Sequence, residues 1–445
     1  MKRVLVANRG EIAVRVIRAC REMNIEAVAV YSKADANALH VELADRAICV
    51  GPARVTDSYL NMDAIIQIAL STGCDGIHPG YGFLSENPEF AQKCSDEGLT
   101  FIGPDASIIR AMGDKVQGRL IAKEAGVPIV DGTEGTEVSF DDVAALAQRS
   151  GFPVLLKAAA GGGGRGMRIV WSEDELKGQF EDAQAEALSS FGDKTVYAER
   201  FLPSIRHVEV QVMGNGEGEV IHFGTRDCTL QRRHQKVVEE AQATYFSPEK
   251  REEIASDAVR LASHLDYAGA GTVEFVVDAQ TAEHFFIEVN TRIQVEHPVT
   301  EMITGVDLVR EQLEVASNGR FSEDAQASNE LRGHALELRI NAEDPDSNFA
   351  PCPGRINNMT IPGGPGVRFD SHMRPGAEIS PFYDSMIAKL IVHDINRKKA
   401  IARAQRALRE FDITGVKTNS KFLLEIVSST DFVNDDIDTG WLERR

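Results

Sequence analysis

At 445 residues the chain has the length of about three domains of roughly 150 residues each, and its 43% hydrophobic content is that of an ordinary globular protein. The balance of 48 Lys and Arg against 68 Asp and Glu, a net charge of −20, argues against nucleic acid or an anionic membrane as a general partner, although a local basic pocket for anions can sit inside an acidic envelope. Six cysteines without CxxC spacing indicate neither a zinc knuckle nor a redox pair and fit a reducing compartment. A hydrophobic strand begins at Val4, which leaves no room for a signal peptide, and no apolar run approaches ~18 residues. The expectation is a cytoplasmic protein, or an organellar one already processed.

In chain order, V-L-V-A-N-R-G from Val4 followed by E-I-A-V-R-V-I-R predicts a buried strand, a glycine turn and an amphipathic helix, with a second strand at Ala27–Tyr31. This β–turn–α–β order implies a parallel sheet with helices on its faces. Further strands at Ala47–Val50, Gly76–His78 and Phe101–Gly103 and a helix near Ala64–Leu70 complete an N-terminal open α/β domain over residues 1–104. A helical linker from Ser107 to Ala125, stopped by Gly126 and Pro128, occupies residues 105–129. Residues 130–202 predict a small mobile lid: strands Pro153–Lys157 and Met167–Trp171 around a glycine run, a helix from Glu173, and a strand at Thr195–Ala198.

Residues 203–445 predict a third domain with a large antiparallel sheet. Strands at His207–Met213 and Glu219–Phe223 form a hairpin across G-N-G-E-G, and Ser247 caps a helix with Pro248 at its first position. Thr272–Asp278 and His284–Asn290 form a second antiparallel pair, and Lys398–Arg409 a basic amphipathic helix. The fold class is thus mixed α/β and α+β.

Chemistry concentrates in a few segments. The run Gly161–Gly166, with Lys157 on the strand before it, lets backbone N–H groups approach phosphate oxygens. A β-like segment rather than a helix follows, so the run fits a flap over a triphosphate better than a dinucleotide fingerprint, and a plain linker is the blander alternative. Glu274 and Glu288 each stand inside an apolar strand, where an isolated carboxylate is costly unless paired or bound to a cation. If the hairpin register sets them on one face, they can share a hard metal ion with Asn290. Otherwise they face solvent or pair with Arg292.

From Glu288 to Glu296 the chain alternates Glu, Asn, Arg, Gln and Glu with apolar or small residues. Fully extended, that stretch spans roughly 26 Å, too long for one small site. The chain must bend, here placed after Asn290, or its two ends do different jobs. The bend would leave Glu288 and Asn290 at a metal, and Arg292, Gln294 and Glu296 around an anion.

Arg226 to Lys236 inverts the local charge and suits several anionic groups, with an exposed basic loop as the alternative. Cys228 near His234 invites a thiol-nucleophile reading, but no third orienting group is apparent. The Gly-rich loop His78–Asn87, with Tyr81 near its middle, either lines a site or is a structural turn, and Arg339 alone reads as a salt-bridge partner on a strand.

Together these segments resemble the biotin carboxylase family of the ATP-grasp superfamily, through ANRGEIA at 7–13, HPGYGFLSEN at 78–87, KAAAGGGGRGMR at 157–168, RDCTLQRRHQKVVEE at 226–240, IEVNTRIQVEHPVTEMITGVDL at 287–308, RINAEDP at 339–345 and YDSMIAKL at 383–390. The resemblance implies that Lys115, Lys157, Gly163, Gly164, Met167, Glu199, Leu202, His207, Gln231 and His234 bind ATP. It implies Glu274, Glu288 and Asn290 as ligands of Mg²⁺ or Mn²⁺, and Lys236, Arg292, Gln294 and Val295 as the bicarbonate site. Glu296 would be the base that deprotonates bicarbonate, and Tyr81 and Arg339 would face biotin. The implied reaction makes carboxyphosphate from bicarbonate and ATP, then carboxylates biotin.

No A-M-K-M biotinylation sequence occurs, so biotin is expected on a separate biotin carboxyl carrier protein, with a carboxyltransferase subunit completing an acetyl-CoA, acyl-CoA or pyruvate carboxylase. A homodimer is also implied: Arg18, Glu22 and Arg368 match the family's dimer contact, while Pro365 stands where bacterial homodimers often carry an aromatic residue. Arg200 replaces a frequent Lys, and Gln242 and Thr244 stand where prolines are usual. A Rossmann dehydrogenase would need a helix after Gly166 and an acidic ribose ligand, neither of which is apparent. Another ATP-grasp ligase would lack a bicarbonate requirement, and a nucleotide sensor would not keep Glu296 and Arg292.

Overall fold

In the computed structural model all residues are described except 134–137, 160–165, 234 and 328–329, with backbone alone at 327. The N-terminal sheet is parallel, with strands β1 (Arg3–Val6), β2 (Glu26–Ser32), β3 (Arg46–Gly51), β4 (Gly76–His78) and β5 (Thr100–Phe101) in the order β3-β2-β1-β4-β5. Leu5 lies opposite both Val28 and Ile77, and all three are fully buried, as a strand covered on both faces requires. The order reverses at β1, so the loops after β1 and β4 diverge and open a crevice at their carboxyl ends. Asn8 ties these loops by donating to the carbonyls of Pro79 and Tyr81, both at 2.8 Å. Gly80, at φ +64°, is needed there, because a Cβ would meet Asn8 Nδ2 at 2.8 Å.

The single linker helix expected from Ser107 to Ala125 is two helices, Ala106–Gly113 and Lys115–Glu124. Asp114 starts the second by accepting from the amides of Val116 and Gln117, both at 2.9 Å, a side-chain cap that outweighs continued helix. Lys115 therefore sits at the head of a helix. Next comes a three-stranded antiparallel sheet of β6 (Val154–Ala158), β7 (Met167–Val170) and β8 (Val196–Arg200), in the order β7-β6-β8. Its apolar core joins the expected helix Glu173–Phe191 to an unexpected one, Phe140–Ser150, which opens on a Ser139/Asp142 capping box. Most of the glycine run, with Gly163 and Gly164, lies outside the described residues.

The third region is an eight-stranded antiparallel sheet. It contains β9 (Ile205–Asn215), β10 (Val220–Arg232), β11 (Gln235–Ala241), β12 (Ala268–Asp278), β13 (His284–Asn290) and β14 (His334–Asn341) in the order β13-β12-β9-β10-β11-β14, followed by Met386–Asp394 and Val367–Ser371. Alternation sorts V-E-V-Q-V at 208–212: the three valines join the core under the helix Pro248–His264, while Glu209 and Gln211 point to the opposite face. At the far end, the helix Arg397–Glu410 covers Leu336, Leu338 and Leu390. No helix among the described residues is long and apolar enough to cross a membrane.

The stretch from Glu288 to Glu296 is not one strand. β13 ends at Asn290, residues 291–296 form bends and turns, and a helix runs from His297 to Thr304 with Glu296 at its N-cap position. The chain bends where the length argument places the bend. Asn290 already closes the ladder opposite Thr272, and His297–Pro298 begins the helix instead of closing a strand.

Candidate active site

A cleft of about 1200 Å³ runs between the N-terminal sheet, the three-stranded sheet and the polar face of the large sheet. Glu274 and Glu288 stand directly opposite in the β12–β13 register, with Thr272 opposite Asn290 two residues along. All three expected oxygen ligands therefore share one face. Glu274 accepts from Lys236 Nζ at 3.0 Å, Asn290 Nδ2 at 2.8 Å and Gln294 Nε2 at 3.2 Å, and its other oxygen lies 2.9 Å from His207 Nε2. Glu288 meets Lys115 Nζ at 3.3 Å. Two carboxylates and an amide carbonyl are hard oxygen donors at cross-strand distance, so the residues present fit Mg²⁺ or Mn²⁺.

Arg292 is held in a fixed fork. Its Nε donates to Glu86 Oε2 at 2.9 Å, and its terminal nitrogens donate to Gln294 Oε1 at 2.7 Å and Asn290 Oδ1 at 3.0 Å. Lys236 Nζ reaches Glu209 Oε2 at 2.6 Å and Glu296 Oε1 at 2.8 Å, in addition to Glu274. A register shift makes this possible: between Leu230 and Gln231 β10 advances one residue while β11 advances two, from Val238 to Lys236. The shift breaks the alternation and turns Lys236 to the face that carries Glu239 and Arg339.

Glu296 is fully buried and is the one described candidate residue that does not line the cleft. It sits behind Lys236 and Arg339, the latter donating from its NH2 to Glu296 Oε2 at 3.0 Å. Burial alone would raise this carboxyl, but Lys236, Arg339 and Arg226 hold it well below the usual carboxylate range. Burial is likewise overcome at Glu274, where Lys236 and His207 hold the carboxyl well below its ordinary value. Lys236 is raised well above its ordinary value: its burial is outweighed by Glu209, Glu274 and Glu296. Glu296, Glu274 and Lys236 are therefore all ionised.

The remaining candidates line the same cleft. Lys157 and Arg119 both bond to the Glu199 carboxylate, which is buried beneath the three-stranded sheet. Met167 and Leu202 flank them, and Gln231 bonds His207 Nδ1 at 3.1 Å and the Cys228 carbonyl at 3.0 Å. Val295 presents its carbonyl to Lys389 Nζ at 2.8 Å. Tyr81 faces the cleft from the N-terminal side, its hydroxyl bonded to Glu11, so its loop lines the site. His234 lies outside the described residues.

The Arg226–Lys236 segment is not an exposed loop. Its described residues include the second half of β10 and the start of β11, and Arg226 is wholly buried against Glu209, Gln211, Thr272 and Thr300. Cys228 is fully buried, and burial pushes its thiol up, so it stays protonated and unreactive. Sequence reasoning missed Glu209, Arg119, Glu239, Glu337 and Lys389. A signal existed in two strands: V-E-V-Q-V and L-E-L-R-I place Glu209, and Glu337 with Arg339, on polar faces of otherwise apolar strands. Arg119, Lys389 and the Glu86 clamp are brought in by chain segments far away in sequence, and no local pattern marks them.

A crevice-bearing parallel domain, a small antiparallel sheet over a cleft, and facing carboxylates on a large antiparallel sheet define an ATP-grasp enzyme. The biotin carboxylase N-terminal domain matches residues 1–109, the ATP-binding domain of the carbamoyl-phosphate synthase large chain matches 114–324, and the biotin carboxylase C-terminal domain matches 337–444. Biotin carboxylase 1 of Bacillus subtilis is 50% identical over 443 residues, covering 100% of this chain and 98% of its own. The biotin carboxylase of Pseudomonas aeruginosa is 48% identical over 446 residues, covering 100% of this chain and 98% of its own. The biotin carboxylase domain dimer of Hydrogenobacter thermophilus 2-oxoglutarate carboxylase, solved with MgADP, ADP and bicarbonate, superposes at a TM-score of 0.93 with 46% identity, over 100% of this chain and 97% of that one. The chain belongs to the biotin carboxylase family. Its reaction is the ATP- and bicarbonate-dependent carboxylation of biotin.

Proposed function

We propose that this chain carboxylates biotin carried on a separate biotin carboxyl carrier protein, as one subunit of an acetyl-CoA, acyl-CoA or pyruvate carboxylase whose carboxyltransferase is another chain. The observation that carries the reading is Glu296, an ionised carboxylate held between the buried cations Lys236 and Arg339 just behind the cleft. ATP occupies the cleft beneath the three-stranded sheet, which acts as a lid: Glu199 and Leu202 meet the base, and Lys115, Lys157, His207 and Gln231 meet the ribose and phosphates. Mg²⁺ or Mn²⁺ held by Glu274, Glu288 and Asn290 would neutralise charge on the phosphate oxygens.

Bicarbonate docks on Arg292, Gln294, the backbone at Val295 and Lys236. As Lys236 and Arg339 turn to the incoming anion, they release Glu296, whose basicity rises once its cations are shared, and it takes the bicarbonate proton. The bicarbonate oxygen then attacks the γ-phosphorus, and ADP leaves from carboxyphosphate. Carboxyphosphate breaks into CO₂ and phosphate, the released phosphate takes the proton of the biotin ureido nitrogen, and that nitrogen captures the CO₂. Arg339 stabilises the negative charge on the ureido oxygen, and Tyr81 flanks the ring. Lid closure keeps water from the intermediate.

The exposed Arg18 and Glu22 support a homodimer, as does the dimer of the Hydrogenobacter domain; Arg368, by contrast, is engaged within the chain by Glu301 and Asp370. Six unpaired cysteines support a cytoplasmic setting. The test is ADP release from Mg-ATP, expected only when bicarbonate and free biotin are both supplied. Turnover without bicarbonate, or none with both present, sinks the reading.

A further inference from the structure

Behind Arg339 lies a second pair of carboxylates that the reaction above does not use. Glu239 on β11 and Glu337 on β14 are directly opposed in the antiparallel register, and both are fully buried. Directly opposed side chains on one face have Cβ atoms about 5 Å apart, which puts the two carboxyl groups within mutual reach. Glu239 Oε1 accepts from Arg339 Nε at 2.6 Å. The other three oxygens, Glu239 Oε2 and both of Glu337, find no hydrogen-bond donor among the described residues.

The cations that face the pair are engaged elsewhere. From the strand Met386–Asp394, Lys389 gives its protons to the Val295 carbonyl at 2.8 Å and to Glu11 at 3.1 Å. Lys236 on β11 is held by Glu209, Glu274 and Glu296. Arg339 on β14 is divided between Glu239 and Glu296, and Glu296, from the head of the helix His297–Thr304, adds negative charge of its own. Two ionised carboxylates so placed, with three oxygens that no donor of the described residues reaches, would be costly, and one proton removes most of that cost. Burial pushes both groups up, Glu239 to about 7 and Glu337 well above the ordinary carboxylate value, with each neighbouring carboxylate adding to the rise.

We propose that Glu239 and Glu337 form a dyad holding one proton between them, and that its single negative charge, on Glu239, positions Arg339. The guanidinium is thereby clamped from both ends, by Glu239 at Nε and by Glu296 at NH2. When the NH2 end leaves Glu296 for the incoming anion, Glu239 still holds Nε, so the guanidinium turns about that end without leaving the site. The protonated Glu337 keeps the local charge low enough for that clamp to persist. Glu239 and Glu337 touch no substrate and are positioning residues. This assignment rests on the proposed placement of biotin beside Arg339.

The variants Glu239→Gln and Glu337→Gln separate the roles. Glu337→Gln copies the protonated partner and is expected to keep kcat/KM for biotin within about three-fold of the native enzyme. Glu239→Gln removes the charged acceptor at Nε and is expected to lower kcat/KM for biotin by about ten-fold or more, while KM for Mg-ATP and for bicarbonate stays within about two-fold. Infrared difference spectra at neutral pH are expected to show the carbonyl stretch of a buried protonated carboxyl in the native protein and its loss in Glu337→Gln. Equal damage by both variants, an unchanged biotin rate in Glu239→Gln, or a native spectrum without that band overturns the proposal. If Glu239→Gln does not fold, the retained activity of Glu337→Gln and the infrared band decide it. Absence of any biotin-dependent turnover in the native protein instead indicts the underlying reaction, and the infrared band then still reports on the dyad.

Discussion

Glu239 and Glu240 are neighbours on one strand, both buried, and they point to opposite faces of the large sheet. On the far face Glu240 is fully partnered: Arg397 donates from Nε and NH2 at 2.8 Å to its two oxygens, and His334 Nε2 lies 2.6 Å away. Arg397 in turn donates to the carbonyls of Phe432 and Val433, and nearby Arg206 binds Asp435, so this cluster fastens the C-terminal segment to the sheet. On the cleft face Glu239 keeps one oxygen bare and shares Arg339 with Glu296. Burial pushes both groups up; it wins at Glu239, which rises to about 7, and loses at Glu240, which Arg397 and His334 hold at about 2. Equal burial thus gives opposite outcomes according to how many donors each carboxylate owns outright. The structural carboxylate has both oxygens held by donors of its own, whereas the cleft-face one leaves charges shared and able to change partner.

The sharpest way to break this distinction is to damage each face and read both activity and stability. Glu296→Gln removes the base on the cleft face and is expected to lower kcat by roughly a hundred- to ten-thousand-fold, a loss that persists under conditions where urea unfolding shows the variant to be folded. Arg397→Leu strips Glu240 of its main partner and is expected to cost about 3–5 kcal/mol of stability, with kcat nearly unchanged at temperatures where the protein is folded. Were Glu296→Gln active, or Arg397→Leu inactive while folded, the two faces would not divide structure from chemistry as described.

These clusters also mark how far the sequence could be read. The strand pairs and the helix cap at Ser247 follow local rules of period and capping and were legible, whereas the shared face of Glu274 and Glu288 depended on a hairpin register that the sequence left open. The bend after Asn290 was legible for a different reason: the side chains needed at one small site are too far apart on a straight strand. The break at Asp114 was legible in principle, since Gly113–Asp114 carries both a stop and a cap, but helical periodicity on either side masks it. Lys236 was recognised by its motif and not by its face, because a register shift defeats alternation. Glu239, Glu337 and Lys389 acquire meaning only when β11, β14 and the strand Met386–Asp394 lie side by side, and these are separated by some 50 to 100 residues of chain.

Acid offers a smaller and more selective comparison. The folded Glu240 carboxyl lies at about 2 against an ordinary 4.5. Its contribution, about 3 kcal/mol by linkage, is present in full above about pH 4.5 and is lost as pH falls towards 2. Glu239 has the opposite sign: the fold favours its protonated form, so its contribution declines as pH rises from 4.5 through about 7. In urea unfolding, the stability difference between the native protein and Glu240→Gln should therefore shrink between about pH 5 and pH 3. A difference that stays constant over that window would mean that Glu240 is not held ionised by Arg397, and the contrast between the two faces would lose its basis.

The smallest effect is expected at the residue that a thiol-based chemistry would make indispensable. Cys228 Sγ lies 3.8 Å from Glu296 Oε1, beside Arg226 and beneath Lys236, at the centre of the ionised cluster. Proximity alone would invite a nucleophile, but the thiol is fully buried and lined by Glu209 and Glu296, which with burial push it towards the protonated form. It neither lines the cleft nor has a base free to take its proton, because Glu296 is held by Lys236 and Arg339. Cys228→Ala should leave kcat and the bicarbonate requirement within about three-fold of the native enzyme and cost about 1 kcal/mol from the small void it creates. A loss of a hundred-fold or more, roughly what removal of an essential group produces, would transfer the chemistry from the carboxylate to the thiol.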